Sequence, residues 1–211
     1  MKIFLPTIQY PPDAGGVAKV AHEQAMGLAA LGEQVQVYAP HTEPDETTTP
    51  APNVQLRRPT LRTRAVLRLL PLIRGVDSAM RGFAPDFALC PTYRAIGLPL
   101  MLAARRRRVP YSIYIHGTEL HTEHKSGTRR WVMEHVLSGA AFLATNSHNT
   151  QRLLVELYPK VRTRVAVVHP GVDPDRFSHE RLAPLRDPAR ADLLARLAKQ
   201  AGSPPASGSG T

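Results

Sequence analysis

A chain of 211 residues, 43% of them hydrophobic, is long enough to bury roughly 70% of its unfolded surface in one α/β domain and too short for a second full one. No apolar run reaches the ~20 residues that span a bilayer, the opening MKIFLPTIQYPP meets proline too soon for a secretory signal, and the lone Cys90 rules out a disulfide framework or cysteine metal site within the chain. A cytoplasmic protein is expected, and 27 Lys and Arg against 17 Asp and Glu, a formal charge of +10, favour anionic partners without choosing among phosphate, lipid headgroup and nucleic acid.

In chain order, Lys2 to Ile8 is an apolar run ending in a Pro- and Gly-containing loop, and Gln34 to Ala39 is a second, Val-rich run just after Gly32. Both read as buried parallel strands. Between them Val17, Val20, Ala21, Gln24, Ala25, Leu28 and Leu31 mark one helical face, apolar except for Gln24, so the segment is a strand, glycine loop, helix and strand. Asp45 to Asn53, rich in Thr and Pro, is expected to be loop, and Val54 to Leu56 a short strand. Leu61 to Phe83 reads as an arginine-studded helix that Pro71 ends or kinks. Asp86 to Cys90, Tyr111 to Ile115, Phe142 to Thr145 and Val165 to Val168 read as four more strands separated by helical segments. That alternation predicts one α/β domain with an open, doubly wound parallel sheet. Ala189 to Gln200 reads as one more helix, and Ala201 to Thr211 has too little apolar surface to order itself.

Four strand ends carry candidate chemistry. Pro11-Pro12-Asp13-Ala14-Gly15-Gly16 follows the first strand and leads into the first helix. Gly15 and Gly16 allow close backbone approach, and the helix start offers N–H groups to an anion such as a diphosphate. The same run also reads as a tight turn needing positive φ, and Asp13 opposes an anion there unless its side chain turns away. It is neither GxGxxG nor a P-loop, so a nicotinamide enzyme or an NTPase is not indicated.

The second strand end, Tyr114-Ile115-His116-Gly117-Thr118-Glu119, places His116 at the carboxyl edge of the sheet, where ligands of doubly wound folds collect. His116 serves there either as a hydrogen-bond partner to a ligand or as a purely structural side chain. His116, His121 and His124 with Glu119 and Glu123 invite a metal, but the spacing matches no HExxH helix and a polar loop explains the cluster as well, so no metal site is expected. Ala144-Thr145-Asn146-Ser147 is the third, with Ser147 placed to cap a helix beginning near His148. Val165 to Val168 runs into His169-Pro170-Gly171-Val172-Asp173, a sharp turn, as the fourth. Cys90 reads as a buried small hydrophobe at a strand end.

Taken in order, PPDAGGVAKVAHEQAMGLAALGEQVQVYAP, YIHGTEL, AAFLATNSHNTQRLL and VAVVHPGVDPDRF resemble the N-terminal domain of family-four glycosyltransferases, retaining enzymes of the GT-B fold that include phosphatidylinositol-mannosyltransferase types. The resemblance runs from Lys2 to about Phe177. It implies a Rossmann-like acceptor-side domain over residues 1–180, a linker or helix over 181–200 and a tail over 201–211. It implies too that Gly15 and Gly16 approach the donor diphosphate and acceptor, and that His116, beside Gly117, contacts the transferred sugar. Asn146 and Ser147 would line the cleft floor, and Gly171, Val172 and Asp173 would lead across to the partner domain. The implied partners are a nucleotide sugar, as donor substrate rather than cofactor, and a sugar or lipid-linked acceptor.

In that family the C-terminal domain grips the nucleotide sugar with a Lys or Arg and a Glu-x7-Glu pair, whereas no two glutamates here stand eight positions apart. The expectation is therefore a domain with no complete catalytic set, inactive alone: either the product of a truncated or frameshifted gene, or half of a split enzyme with a donor-domain partner chain. Two readings from other classes stand beside it, a non-catalytic module binding a sugar or anionic ligand and an epimerase of related architecture. Arg62, Arg64, Arg68, Arg74 and Arg81, with Arg105 to Arg108, read either as a contact with an anionic membrane, peripheral on its inner face, or as a solvated surface. Nucleic acid is not expected, since the chain has no RRM aromatic signature, zinc-finger spacing or helix-turn-helix motif.

Overall fold

The computed structural model describes residues 1–41, 51–60 and 69–171, with Asp192 alone beyond them. Met1–Pro170 forms one compact unit and Gly171–Thr211 another, of which only Gly171 and Asp192 are described. The expected tail, most of the expected last helix and the arginines Arg62, Arg64 and Arg68 thus lie outside the described residues.

Strands and helices alternate through the first unit: β1 (Lys2–Pro6), α1 (Gly16–Ala30), β2 (Gln34–Tyr38), β3 (Val54–Arg57), α2 (Leu69–Phe83), β4 (Phe87–Cys90), α3 (Gly97–Arg107), β5 (Tyr111–Ile115), α4 (Thr118–His124), α5 (Gly127–Ser138), β6 (Phe142–Thr145), α6 (His148–Leu157) and β7 (Val165–Val167). The strands form a single sheet in the order β3-β2-β1-β4-β5-β6-β7, every pair parallel. This is a Rossmann-like, doubly wound α/β fold, as the alternation predicted. Its winding reverses at β1, which sits between β2 and β4, and the crevice outside the carboxyl ends of β1 and β4 is where such sheets bind ligands.

Central position explains the apolar runs. All five residues of β5 are buried, because helices cover both faces of a parallel sheet at its centre, whereas the edge strands β3 and β7 keep exposed positions. Ile113 lies in register with Cys90 on one side and Leu143 on the other, all three fully buried. On α2, Leu72, Val76, Ala79, Met80 and Phe83 recur at helical spacing and pack into the core, while Arg74 and Arg81 face solvent. Asp77 of the same helix accepts a 2.8 Å hydrogen bond from Arg107 Nη2, and its backbone carbonyl a 3.1 Å bond from Arg107 Nε, which ties the end of α3 to α2.

One expectation is corrected in phase. The buried stripe of α1 is Ala18, Ala21, Ala25 and Ala29, not the Val- and Leu-marked face, and Leu31 is 79% exposed. Alanine lets the helix backbone lie close on Leu5, Val35 and Val37, and larger side chains fall to the flanks. Pro71 does not end α2, which runs on to Phe83, while residues 61–68 of the expected helix lie outside the described residues.

Candidate functional site

The site is built from turns at the carboxyl ends of β1, β4 and β5. After β1 the chain makes a tight local turn in which Thr7 Oγ1 donates to the Gln9 carbonyl at 2.9 Å and accepts from the Gln9 N–H at 3.2 Å. Arg58, directly after β3, steadies the next residues, its Nη2 donating to the carbonyls of Tyr10, at 3.0 Å, and Pro11. Asp13, which would oppose an anion, is turned into this loop. Its Oδ2 accepts from the Tyr10 N–H at 3.0 Å and its Oδ1 lies 3.1 Å from His41 Nε2. Gly15 then takes φ 140°, a conformation that favours glycine, and α1 begins with no side chain capping its N–H groups. A Cβ on Gly15 or Gly16 would meet nothing within 4 Å, so the backbone there faces open space.

The turn after β5 is fixed from several sides. The His116 N–H donates to Glu119 Oε1 at 2.8 Å, and Glu119 is 98% removed from solvent. The His116 carbonyl accepts from Asn146 Nδ2 at 3.1 Å, and its ring Nε2 lies 2.8 Å from the Pro91 carbonyl at the end of β4. A carbonyl only accepts, so Nε2 carries a proton, and in the neutral tautomer that this bond selects Nδ1 is the acceptor. Gly117 has φ 107° and passes close to α6, where a Cβ would sit 3.1 Å from Thr150 Oγ1.

At the end of β6, Ser147 caps α6 as expected, its Oγ accepting from the Thr150 N–H at 3.2 Å. Thr150 Oγ1 in turn donates to Asn146 Oδ1 at 2.6 Å, which leaves the Asn146 amide pointing its NH2 at His116. After β7, His169 Nδ1 lies 3.2 Å from the Asn146 carbonyl, and Tyr114 donates its hydroxyl to the Val168 carbonyl at 2.7 Å.

These turns surround a cavity of about 540 Å³. Ile8 and Gln9 after β1, Val17 in the first turn of α1, and His116, Thr118 and Glu119 after β5 line it. Thr92 and Arg94, in the turn after β4, and Glu123 complete its polar wall. Among the residues singled out from sequence, His116 therefore lines the cavity, while Gly16 and Gly117 adjoin lining residues. Asn146 and Ser147 do not line it: they hold the His116 turn from β6 and α6. Gly171 is exposed, and Val172 and Asp173 lie outside the described residues.

Thr92 and Arg94 were not singled out from sequence, although their place directly after the strand ending at Cys90 was the available signal. Glu119, weighed only as a metal ligand, is instead the anchor of the His116 backbone. Among the described residues no three His, Cys, Asp or Glu side chains converge to hold a metal. Cys90 is fully buried, its Sγ donating to the Thr92 carbonyl at 2.8 Å, and burial pushes its thiol up to about 12.

The model of Glycosyltransferase Family 4 matches residues 14–176. No curated protein matches the sequence. Among solved structures, the chain resembles sucrose-phosphate synthase from Thermosynechococcus elongatus at TM-score 0.64 and 14% identity, with 92% of this chain and 99% of that one covered. HepE from Anabaena in complex with UDP-glucose gives 0.62 and 17%, with 90% of this chain covering 50% of that one. A glycosyltransferase from Rickettsia africae gives 0.62 and 15%, covering 90% and 49%. The chain thus spans about half the length of the last two, and at these identities the likeness is one of fold.

Proposed function

This chain belongs to Glycosyltransferase Family 4, and from that premise we propose that its carboxyl sheet edge holds the acceptor during sugar transfer from a nucleotide sugar. The observation that carries the reading is the cavity walled by β1, β4 and β5 turns, directly beside the point where the sheet's winding reverses. In this reading the acceptor-side domain runs over residues 1–180, of which Met1–Pro170 is the described compact unit, and the expected linker over 181–200 and tail over 201–211 lie, but for Asp192, outside the described residues. The nucleotide sugar is gripped by a second domain, in the same polypeptide or a partner chain, because no Glu-x7-Glu pair occurs in this sequence.

The chemistry asked of such a site is displacement at an anomeric carbon by an acceptor hydroxyl, with a nucleoside diphosphate leaving. Negative charge builds on the leaving phosphate, and preorganised N–H groups lower that barrier. The uncapped start of α1 at Gly15 and Gly16, relieved of Asp13 by its bonds to Tyr10 and His41, supplies such groups. His116 is held at both backbone polar groups and at Nε2, and it offers Nδ1 to a sugar hydroxyl. The reading assigns Gly171, Val172 and Asp173, the last two outside the described residues, to the connection with the donor domain, and exposed Arg74, Arg81, Arg105, Arg106 and Arg108 support contact with an anionic membrane surface.

Transfer from UDP- and GDP-sugars should be assayed with the purified chain, alone and with candidate donor-domain partners. The reading expects no transfer by the chain alone and transfer once a partner is present. In the active pair, His116→Ala should lower the rate by about 10²-fold, the order seen when a preorganised polar group is lost. Transfer by the isolated chain would overturn its incompleteness, and tight sugar binding with no transfer under any pairing would favour a binding module.

A further inference from the structure

We infer that Arg94 is the specificity-determining residue of this site and selects an acceptor whose sugar carries an oxyanion, a phosphate or a carboxylate. The inference rests on the acceptor reading above and adds the charge of the acceptor and the residue that reads it.

Arg94 is the single Lys or Arg among the described residues that line the cavity. No carboxylate among the described residues pairs with its guanidinium. Two carboxylates share the cavity wall, yet each is engaged elsewhere. Glu119 accepts from the His116 N–H at 2.8 Å and from the Thr118 hydroxyl at 3.4 Å, and Glu123 Oε2 lies 4.0 Å from Arg129 Nε. The positive charge of Arg94 is thus left for a ligand. The backbone fixes where that charge is rooted. The Arg94 N–H donates to Thr92 Oγ1 at 3.4 Å, the Arg94 carbonyl accepts from the Ile96 N–H at 2.7 Å, and the Thr92 carbonyl accepts from the Cys90 thiol at 2.8 Å. Next to it Ala95 is held at φ 59°, a conformation that a residue other than glycine keeps only where its surroundings impose it, and such positions gather at ligand sites.

The two faces of the sheet separate this charge from the groups that meet the donor diphosphate. α1 packs on one face, where Ala21 and Ala25 join Leu5, Val35 and Val37, whereas α3 packs on the other, where Leu100 and Ala103 join Ile113 and Leu143. Gly15 and Gly16 open α1 and Arg94 leads into α3, so the two anion-binding features flank the crevice from opposite sides. Each therefore meets an anion of its own. A guanidinium presents a planar fork that matches two phosphate or carboxylate oxygens at once, and a cavity wall screens that pair less than open solvent does. A neutral sugar in the same place leaves the fork unused.

The test uses the full chain with labelled arginine and histidine side chains. It is titrated with D-glucose, D-glucuronate and D-glucose 6-phosphate, with D-mannose and D-mannose 6-phosphate, and with UDP and inorganic phosphate. With at least one sugar, the anionic form is expected to shift both His116 and the Arg94 guanidinium. It should bind about tenfold or more tighter than its neutral parent, the order of one charge-assisted hydrogen bond. Arg94→Gln should remove most of that preference and Arg94→Lys keep part of it, while Arg81→Gln, on α2 and outside the cavity lining, should keep it all. Shifts at His116 with equal affinity for neutral and anionic forms would overturn the inference and leave the acceptor reading standing. So would an anion preference that survives Arg94→Gln. UDP that shifts Arg94 and displaces the sugar phosphates would give the residue to the donor diphosphate and overturn its role toward the acceptor. A response to inorganic phosphate equal to that of the sugar phosphates, with His116 unmoved, would show an adventitious ion only and overturn it as well. An unmoved His116 with every sugar would also overturn the acceptor reading.

Discussion

Asn146 Nδ2 donates to the backbone carbonyl of His116 at 3.1 Å, and this bond joins the turn after β5 to the turn after β6. The same side chain takes a 2.6 Å bond from Thr150 Oγ1 on its oxygen, so its orientation is dictated from α6.

Asn146→Asp is the isosteric test of that arrangement. It sets a carboxylate oxygen against the His116 carbonyl, two acceptors with no proton between them. Chemical denaturation should show a loss of about 1–3 kcal/mol, the cost of a part-buried acceptor left unpaired. An unchanged midpoint would remove the bond from the account of how His116 is placed.

Gly117→Ala meets two obstacles at once. The residue has φ 107°, and the new Cβ would lie 3.1 Å from Thr150 Oγ1. A loss of about 1–3 kcal/mol is expected from the backbone conformation alone, together with a shift of the His116 ring resonance as the turn moves. Gly16→Ala, where the added carbon meets nothing and φ is not positive, should cost far less.

Asp77→Ala should destabilise the fold by about 1–3 kcal/mol, because it leaves Arg107, whose side chain is 20% exposed, without its charge-assisted partner. Arg108→Ala, an exposed position beyond the same helix, serves as the comparison. Equal stability of the two variants in urea would show that the α2–α3 tie carries no weight.

Tyr111 gives a dependence on alkaline pH. Its hydroxyl donates to the Val136 carbonyl at 2.6 Å, and burial pushes its pKa up to about 12, opposed in part by Arg105. An unfolded tyrosine releases its proton near pH 10. Below that value both states hold the proton and this group adds no slope. Between about pH 10 and 12 the unfolded chain binds fewer protons, so stability falls as pH rises. Tyr111→Phe should lessen that fall by roughly one proton's slope in denaturation curves taken across the range. Tyr158, also pushed up to about 12 chiefly by burial, contributes in the same direction and should remain after the substitution.

Cys90 should be silent to thiol reagents in the folded chain near pH 8, because the thiolate is the reactive form and burial holds it protonated. Full reaction is expected in denaturant. Rapid labelling of native protein would contradict its placement under the β4 turn.

Five of the expected strands appear within two residues of their anticipated ends, and Tyr111–Ile115 and Phe142–Thr145 coincide with them. Strands of a covered sheet are short apolar runs wherever they occur, so they need no partner to be recognised. The α1 stripe was misread because valine and leucine look more like core than alanine, and only contact with Leu5, Val35 and Val37 shows that the small residues face the sheet. Thr92 and Arg94 escaped notice for a related reason: a residue in a turn carries no periodic signal, and its nearness to His116 exists only once β4 and β5 are paired.

What the residues determined unaided was local: alternating strands and helices, a glycine-bearing turn before α1, and Ser147 as a helix cap, each set by neighbours within a few positions. The tertiary structure decided which of these meet. Strand order put β4 between β1 and β5, and so brought Gln9, Thr92 and His116 around one cavity. Parallel pairing across more than 80 residues, as between Ile3 and Phe87, depends on packing free energy summed over the whole sheet, which no single segment encodes.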